Sequence, residues 1–299
     1  MTFTQLEVFA ALARAGSFSR AAALLGITQS AVSHAVRALE AELGVAVVLR
    51  EGAQSTLSDA GLRLLTRAND ILQQREALRQ EAAGARGIAS GTLRIGSFGS
   101  TVSLRLLPGL LAAYRRLHPQ VEVQVEEQAD ETVIHWLLER RIEIGFVSLP
   151  DDRFETLPLA EDEFVAVIPE GHRLAHKRSI HPRDLDGEPF IRSGAGSGAV
   201  IDRILADAGA SPRVLYRFGQ LNSILGFVAQ GHALAIAARL ALPDDVPGVV
   251  FRSLSPQQRR ITGLAVRSMK RLSPAAAAFV EVAKHQARAS KRSARAPVG

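Results

Sequence analysis

No cysteine occurs among the 299 residues, which excludes disulfides, thiolate metal sites and a cysteine nucleophile. No apolar run approaches the roughly 20 residues that a membrane-spanning helix needs, so no membrane partner is expected. The opening MTFTQLEVFAAL has no basic leader segment and is broken by Gln5 and Glu7, so a secretory signal is not expected and the chain is placed in the cytoplasm. The signatures of covalent and metal catalysis are missing too. HExxH, Gly-x-Ser-x-Gly and a Walker-type loop do not occur, and SGAGSGAV lacks the phosphate-binding lysine. His172 and His176 stand four apart, but Pro169 and Gly171 precede them, which argues for a surface loop rather than a metal-binding helix face. No metal, no cofactor and no catalytic residue is expected.

What is present looks like an ordinary soluble globular protein, 47% hydrophobic and 22% charged, of a length that suits two or three domains. The net charge of +6 is not spread over the chain. Lys284, Arg288, Lys291, Arg292 and Arg295 carry five units of it in a final segment that has no acid. Over the first 66 residues Arg14, Arg20, Arg37, Arg50 and Arg63 are balanced by Glu7, Glu40, Glu42, Glu51 and Asp59. Overall charge therefore says nothing about nucleic acid here, and pattern must decide.

Three zones differ in texture. The first is helix-rich and ends near residue 58. The second, 59 to about 87, is one unbroken helical pattern with Leu64, Ala68, Ile71, Leu78 and Ala82 at three- and four-residue spacing, either lying on its own domain or pairing with a second copy. In the third, short β-rich runs alternate with helical ones: TLRIGSF, VEVQVEEQ, EIGFVS, EFVAVIP, PFIRS, RVLYRF, ALAIAA and ITGLAVR. Such alternation predicts parallel strands with crossover helices, in number enough for two sheets. From Ala289 the basic, alanine-rich tail has no apolar face, and disorder is expected.

Within the first zone Ser17 reads as the cap of a helix whose Ala21, Ala22 and Leu25 form an apolar face, and Gly26 as its left-handed stop. Ile27 then fills the corner. Thr28 caps a second helix, in which Ala31, Val32, Ala35, Val36 and Leu39 are expected to pack inward. Gln29, Ser30, Ser33, His34 and Arg37 stay free, with side chains of a length that reaches base edges. This is helix-turn-helix geometry, the first helix bracing the second in a major groove. A purely structural helical hairpin is the competing reading.

The arrangement resembles the LysR-type transcriptional regulators. Phe9, the run from Ser17 to Val45, Arg50 at the wing, and Leu57, Ser58, Asp59, Ala60 and Gly61 follow that family's pattern without a gap. The wing departs from it, since Glu51, Gly52, Ala53 and Gln54 stand where further arginines are usual, so minor-groove contact there should be weaker. The resemblance implies an α/β protein with an N-terminal all-α winged helix-turn-helix at 1–58, a dimerisation linker helix at 59–87, and a two-subdomain, periplasmic-binding-protein-like effector domain at 91–288. The crossings between subdomains are expected near Glu163 to Ala166 and Leu264 to Arg267, which makes subdomain I 91–162 with 268–288 and subdomain II 163–267. The candidate DNA contacts are Ser17, Arg20, Thr28, Gln29, Ser30, Ser33, His34, Arg37 and Arg50.

Ligands of open α/β sheets sit beyond the carboxyl ends of the strands, against helix N-termini. Those ends supply Ser97, Phe98, Gly99, Ser100 and Thr101, then Val147 and Ser148, then Arg192, Ser193 and Ser197, and finally Asn222 and Ser223 as a helix cap. Any one hydroxyl could simply cap a helix; as a set they are expected to line the cleft. Opposed helix N-termini favour a small anionic or strongly polar effector, with Ser100 and Thr101 nearest to it and Arg192 able to pair a carboxylate if it turns inward. The family resemblance further implies double-stranded DNA with a near-palindromic operator, a homodimer or homotetramer, and RNA polymerase as partners, with allosteric control by the effector. An enzyme or solute-binding protein on the same bilobed fold is the alternative, but it would have no use for residues 2 to 58.

Overall fold

The computed structural model of the chain describes residues 1–51, 54–86, 90–194 and 197–293, without the side chains of residues 50, 51, 54 and 290–293. The N-terminal domain is three helices closed by short polar caps: α1 (Phe3–Ala15), α2 (Phe18–Leu25) and α3 (Gln29–Leu43). Thr2 and Gln5 form a reciprocal capping box, Ser17 accepts the Arg20 N–H, and Thr28 accepts the Ala31 N–H. Between α2 and α3 the chain turns at Gly26, whose φ of 65° is the left-handed conformation that a side chain disfavours. Leu6, Phe9, Leu12, Ala21, Val32, Val36 and Leu39 bury one face of each helix in a common core. Ala31 and Ile27 do not join it; both are exposed, because a tight turn at Gly26 leaves its outer side facing water.

Strands β1 (Val48–Glu51) and β2 (Gln54–Leu57) form an antiparallel wing. Its outer stretch at Gly52 and Ala53, and the side chains of Arg50, Glu51 and Gln54, lie outside the described residues. Glu40 of α3 accepts the N–H groups of Val47 and Val48 at 2.9 and 3.2 Å, which ties the wing to the end of α3. Ser58 donates to the Ala46 carbonyl at 2.6 Å and caps the next helix through the Gly61 N–H.

That helix, α4 (Asp59–Gly84), lies on its own chain along most of its length. Leu65 and Ala68 complete the core of the first domain, with Leu64 and Leu72 against its edge. Further along, Asn69 donates to the Glu139 carbonyl at 2.8 Å, Gln73 to the Arg140 carbonyl at 2.6 Å, and Gln80 to the Thr92 carbonyl at 3.1 Å. Asp70 also pairs with Arg140. Leu64 is thus spent within its own domain, while Ile71 and Leu78 remain 39% and 66% exposed.

The remainder is built on β3 (Gly91–Phe98), α5 (Leu107–Leu117), β4 (Val121–Gln128), α6 (Asp130–Leu138), β5 (Ile144–Leu149), β6 (Glu155–Pro169), β7 (Pro189–Ser193), α7 (Gly198–Asp207), β8 (Arg213–Phe218), α8 (Leu221–Ala229), β9 (Ala235–Ala238), β10 (Val249–Val266) and α9 (Pro274–Ser293). One six-stranded sheet runs in the order β4-β3-β5-β10-β6-β9, and β7 pairs with β8 in a separate parallel pair. Only the β3 pairings in the large sheet are parallel; β5, β10, β6 and β9 pair antiparallel.

The two long strands β6 and β10 carry the chain between two cores. Leu157 and Leu159 pack on the first, with Phe98, Phe146 and Phe279, whereas Phe164, Ala166 and Ile168 belong to the second, with Phe190 and Ile236. In β10 Leu254 lies in the second core and Leu264, Ala265 and Val266 in the first, where Ile261 to Ala265 already pair with β5. The crossings therefore fall at about Ala160 to Glu163 and Gln258 to Ile261. Both depart from the expected Glu163 to Ala166 and Leu264 to Arg267, because Phe164 and Ala166, like Leu264, Ala265 and Val266, fill cores rather than span a gap. A second correction concerns the tail: α9 runs on to Ser293, past Ala289 where disorder was expected, since alanine, lysine and arginine are strong helix formers. Residues 294–299 lie outside the described residues. Among the described residues no helix is long and apolar enough to cross a membrane.

The join between wing and α4 leaves no space for a side chain at Gly61. A Cβ there would stand 2.1 Å from the Val47 carbonyl oxygen, which belongs to the backbone and cannot rotate away. Gly61→Ala is expected to destabilise the protein by about 1–3 kcal/mol, the usual range for overpacking. Denaturant unfolding checks it; a midpoint equal to the wild type would mean that wing and α4 are not locked together.

Candidate nucleic-acid interface and ligand cleft

On α3 the buried positions Val32, Val36 and Leu39 leave Gln29, Ser30, His34 and Arg37 exposed and Ser33 half-buried. Two short bonds order this face. Thr28 Oγ1 lies 2.9 Å from Ser30 Oγ, and Arg37 donates to Ser33 Oγ at 2.9 Å. Arg20 is exposed on the neighbouring α2, where Ser17 holds the helix start. From Gln29 to Arg37 the helix carries no acid, and the first one, Glu40, is turned to the wing. The exposed start of α3 therefore offers donors and acceptors without repelling a polyanion.

The cleft of the larger domain is organised by a pair that sequence reading missed. Arg260 of β10 and Asp162 of β6 are cross-strand neighbours at the crossing, with side chains 7% and 0% exposed. Arg260 donates to Asp162 Oδ2 from Nε at 3.1 Å and from Nη2 at 2.8 Å. The other carboxylate oxygen accepts the N–H groups of Leu240 and Glu163, both at 2.9 Å. What remains of the guanidinium reaches both subdomains: Nη2 donates to Thr101 Oγ1 at 2.6 Å and Nη1 to Ser197 Oγ at 3.2 Å. The Phe98 and Phe164 rings flank it, with centroids 5.5 and 5.3 Å from the guanidinium carbon. Each charge was visible in a run, Glu161-Asp162-Glu163 and Arg259-Arg260, but only the pleat and register decide which member turns inward.

Around Arg260 lies a narrow inner recess, lined by Phe98, Gly99, Ser100, Thr101, Ser193 and Ser197 among others. It shares Gly99, Ser100, Leu221 and Ala241 with a larger outer recess that extends to Arg105, Glu127, Gln128 and Asn222. Between Phe98 and α5 the chain is helical, with Thr101–Leu106 wound as a π-helix. Ser100 makes no capping bond through its hydroxyl, whereas Thr101 is committed to Arg260. At the start of α6 burial pushes the Asp130 carboxyl up, against hydrogen bonds from Ser148 and the field of Arg260.

Five expected members of the set are elsewhere. Ser97 is fully buried with its hydroxyl 2.9 Å from that of Ser103. Val147 is fully buried in the first core, and Ser148 donates its N–H to Asp130 at 3.3 Å; neither lines the cleft. Val147 points into the core from β5, and Ser148, on the opposite face of the same strand, lies beside Asp130 instead of the recess. Arg192 does not turn inward: its Nε lies 3.1 and 3.0 Å from the two Asp202 oxygens, one helix away on α7. Ser223 is half-buried outside both recesses, and neither it nor Asn222 caps α8, because the helix already begins at Leu221 after Gln220.

Residues 3–62 match the family described as bacterial regulatory helix-turn-helix protein, lysR family, and residues 86–288 the family described as LysR substrate binding domain. The uncharacterized HTH-type transcriptional regulator YvbU of Bacillus subtilis (strain 168) is 35% identical over 95% of this chain and 98% of its own length. A full-length OxyR variant from Pseudomonas aeruginosa superposes with a TM-score of 0.70 at 26% identity, covering 96% of this chain and 95% of that one. The regulator CbnR, described as a LysR family transcriptional regulator, gives a TM-score of 0.65 at 25% identity, covering 96% and 99%.

The buried pair yields a stability test. Arg260→Gln leaves the Asp162 carboxylate buried without its cation and is expected to cost about 3–5 kcal/mol, whereas adding Asp162→Asn should recover a large part of that loss. Chemical unfolding measures both. If single and double variants unfolded alike, the two side chains would not act as a unit.

Proposed function

The chain belongs to the LysR family of transcriptional regulators, and we propose that α3 reads a near-palindromic operator while a small anionic or strongly polar molecule in the cleft controls it. Its N-terminal helix-turn-helix is a DNA-binding domain and its larger domain an effector-binding domain. The observation that carries the DNA reading is the acid-free exposed face of a capped helix, Gln29, Ser30, His34 and Arg37. Gln29 and Ser30, at the helix start, meet base edges. His34 and Arg37, one and two turns on, reach bases or phosphates. Ser17, Arg20, Thr28, Ser33 and Arg50 support or extend that contact. The protein acts by binding rather than catalysis, in the cytoplasm.

For the effector, the support is Arg260 in the inner recess beside the uncommitted Ser100 hydroxyl. An entering carboxylate takes the Nη1 donor that Ser197 now accepts and leaves the Asp162 bonds in place. Thr101 belongs to the first subdomain and Ser197 to the second, so exchanging that one bond alters how the subdomains seat. The helix α4 is bonded to the first subdomain through the Glu139, Arg140 and Thr92 carbonyls, which passes the change toward the DNA-binding domain. Two copies pair along α4, where Ile71 and Leu78 leave apolar surface in water that pairing would cover. Pairs assemble into tetramers through the effector domains, and the effector-driven geometry sets how RNA polymerase is met.

On DNA, Gln29→Ala and Ser30→Ala should blur sequence preference, while Arg37→Ala should weaken binding to all sequences and lower the salt slope by about 1. Footprinting and salt titration compare them; unchanged preferences in all three would remove α3 as the reader. In the cleft, a thermal-shift screen should find stabilisation by organic acids and not by their uncharged analogues. The Arg260→Gln, Asp162→Asn double variant should lose that response. Stabilisation by cations or apolar compounds alone would overturn the anion reading.

A further inference from the structure

At the outer rim of the cleft the subdomains are bridged by one turn of chain, the π-helical segment Thr101–Leu106, in which the Leu107 N–H bonds to the Val102 carbonyl five residues back. Thr101 accepts Arg260 Nη2 at 2.6 Å. Four residues on, Arg105 reaches the second subdomain, where Nη2 donates to the Leu242 carbonyl at 3.1 Å and Nε to the Leu240 carbonyl at 3.4 Å. Asp244 lies 3.3 Å from the same Nη2. The opposite side of the turn is tied to its own subdomain, with Val102 in the first core and the Ser103 hydroxyl bonded to Ser97 at 2.9 Å and to Glu127. The receiving loop is held in shape as well. Arg239 Nη1 donates to the Pro243 carbonyl and the Leu242 N–H to the Arg239 carbonyl, both at 3.1 Å. Leu240 faces both ways: its N–H bonds to Asp162 at the crossing and its carbonyl to Arg105 at the rim. Arg105 and Asp244 are 43% and 92% exposed, so water and salt screen their attraction and the two carbonyls carry the contact.

We propose, resting on the reading of the cleft as the effector site, that Arg105 is a latch across its mouth, holding the subdomains together at the outer rim through the Leu240 and Leu242 carbonyls. Arg105 lines the outer recess that adjoins the inner one, so an effector too large for the present opening enters only when these bonds break. The crossing keeps its Asp162 to Arg260 pair when they do, and the subdomains then open about that point. Thr101 and Arg105 sit on one short turn, so a shift at Arg260 also moves the rim contact. The latch thereby sets the position from which an effector has to move the cleft.

The test needs no effector. Because the chain has no cysteine, Arg116→Cys on α5 and Ala206→Cys on α7, both exposed and one on each subdomain, take a donor and an acceptor dye. Labelled chains are diluted into unlabelled ones so that each assembly holds one pair, and single-molecule energy transfer reads the distance. Arg105→Gln should raise the population of a wider state about tenfold, the loss of one hydrogen bond from a charged group. Arg105→Lys, which keeps the charge without the planar fork, should fall between, and Asp244→Asn should change little. Circular dichroism and the denaturation midpoint verify that each variant folds. Three results would overturn the latch: an unchanged distance in Arg105→Gln, equal widening in Asp244→Asn, or equal widening in Arg115→Gln, which removes the same charge away from the rim. Organic acids that fail to stabilise the protein would remove the anion reading and leave the distance measurement standing. An unchanged distance beside normal stabilisation by acids would remove the latch alone.

Discussion

The ion pair between Asp162 and Arg260 is the constraint on which the larger domain depends. A carboxylate with no exposure to water survives only when every lone pair has a donor, and this one takes donors from Arg260, Leu240 and Glu163. The guanidinium must in turn place its remaining protons, and it does so on Thr101 and Ser197. The pair stands where β6 and β10 cross between cores, so satisfying one buried charge draws both subdomains toward the same point. Phe98 and Phe164 keep water from competing for these bonds.

The linker helix uses a different kind of attachment. Asn69, Gln73 and Gln80 bond to backbone carbonyls and Glu76 accepts the Thr92 N–H at 2.9 Å, so α4 is oriented on the first subdomain largely by polar contacts. Gln80 also accepts the Ala275 N–H at 3.0 Å, which adds the start of α9 to the same joint. Such bonds depend on angle and distance more than apolar packing does, so they specify how the helix sits while leaving Ile71 and Leu78 uncovered. At its other end α4 is locked to the wing by Ser58 and by the absence of a side chain at Gly61.

Legibility of the sequence followed the range of the interactions. Ser17, Thr28 and Gly26 act on groups within a few residues of themselves, and their roles as caps or stops were readable from neighbours alone. The eight β-rich runs all became strands, since each is a local pattern of apolar residues. The cleft was legible only in part. Phe98, Gly99, Ser100, Thr101, Ser193 and Ser197 line the inner recess and Asn222 the outer one. Ser97 sits beside Phe98 in the chain, yet one step along a pleated strand buries its hydroxyl against Ser103, and the end of β5 with Val147 and Ser148 does not reach the recesses at all. Arg192 was misread for a related reason. Asp202 is ten residues away in sequence but is brought next to it by the turn from β7 into α7.

By itself the sequence determined the helix-turn-helix with its caps, the strand and helix alternation, and the choice of family, all of which rest on bonds between near neighbours or on short periodic patterns. The tertiary structure alone decided that Arg260 rather than Arg192 faces the cleft. It also decided that Leu64 serves its own domain while Leu78 does not. Each of these is a contact between residues far apart in the chain, and such contacts are set by strand register and by the seating of one domain on another, which no local pattern encodes.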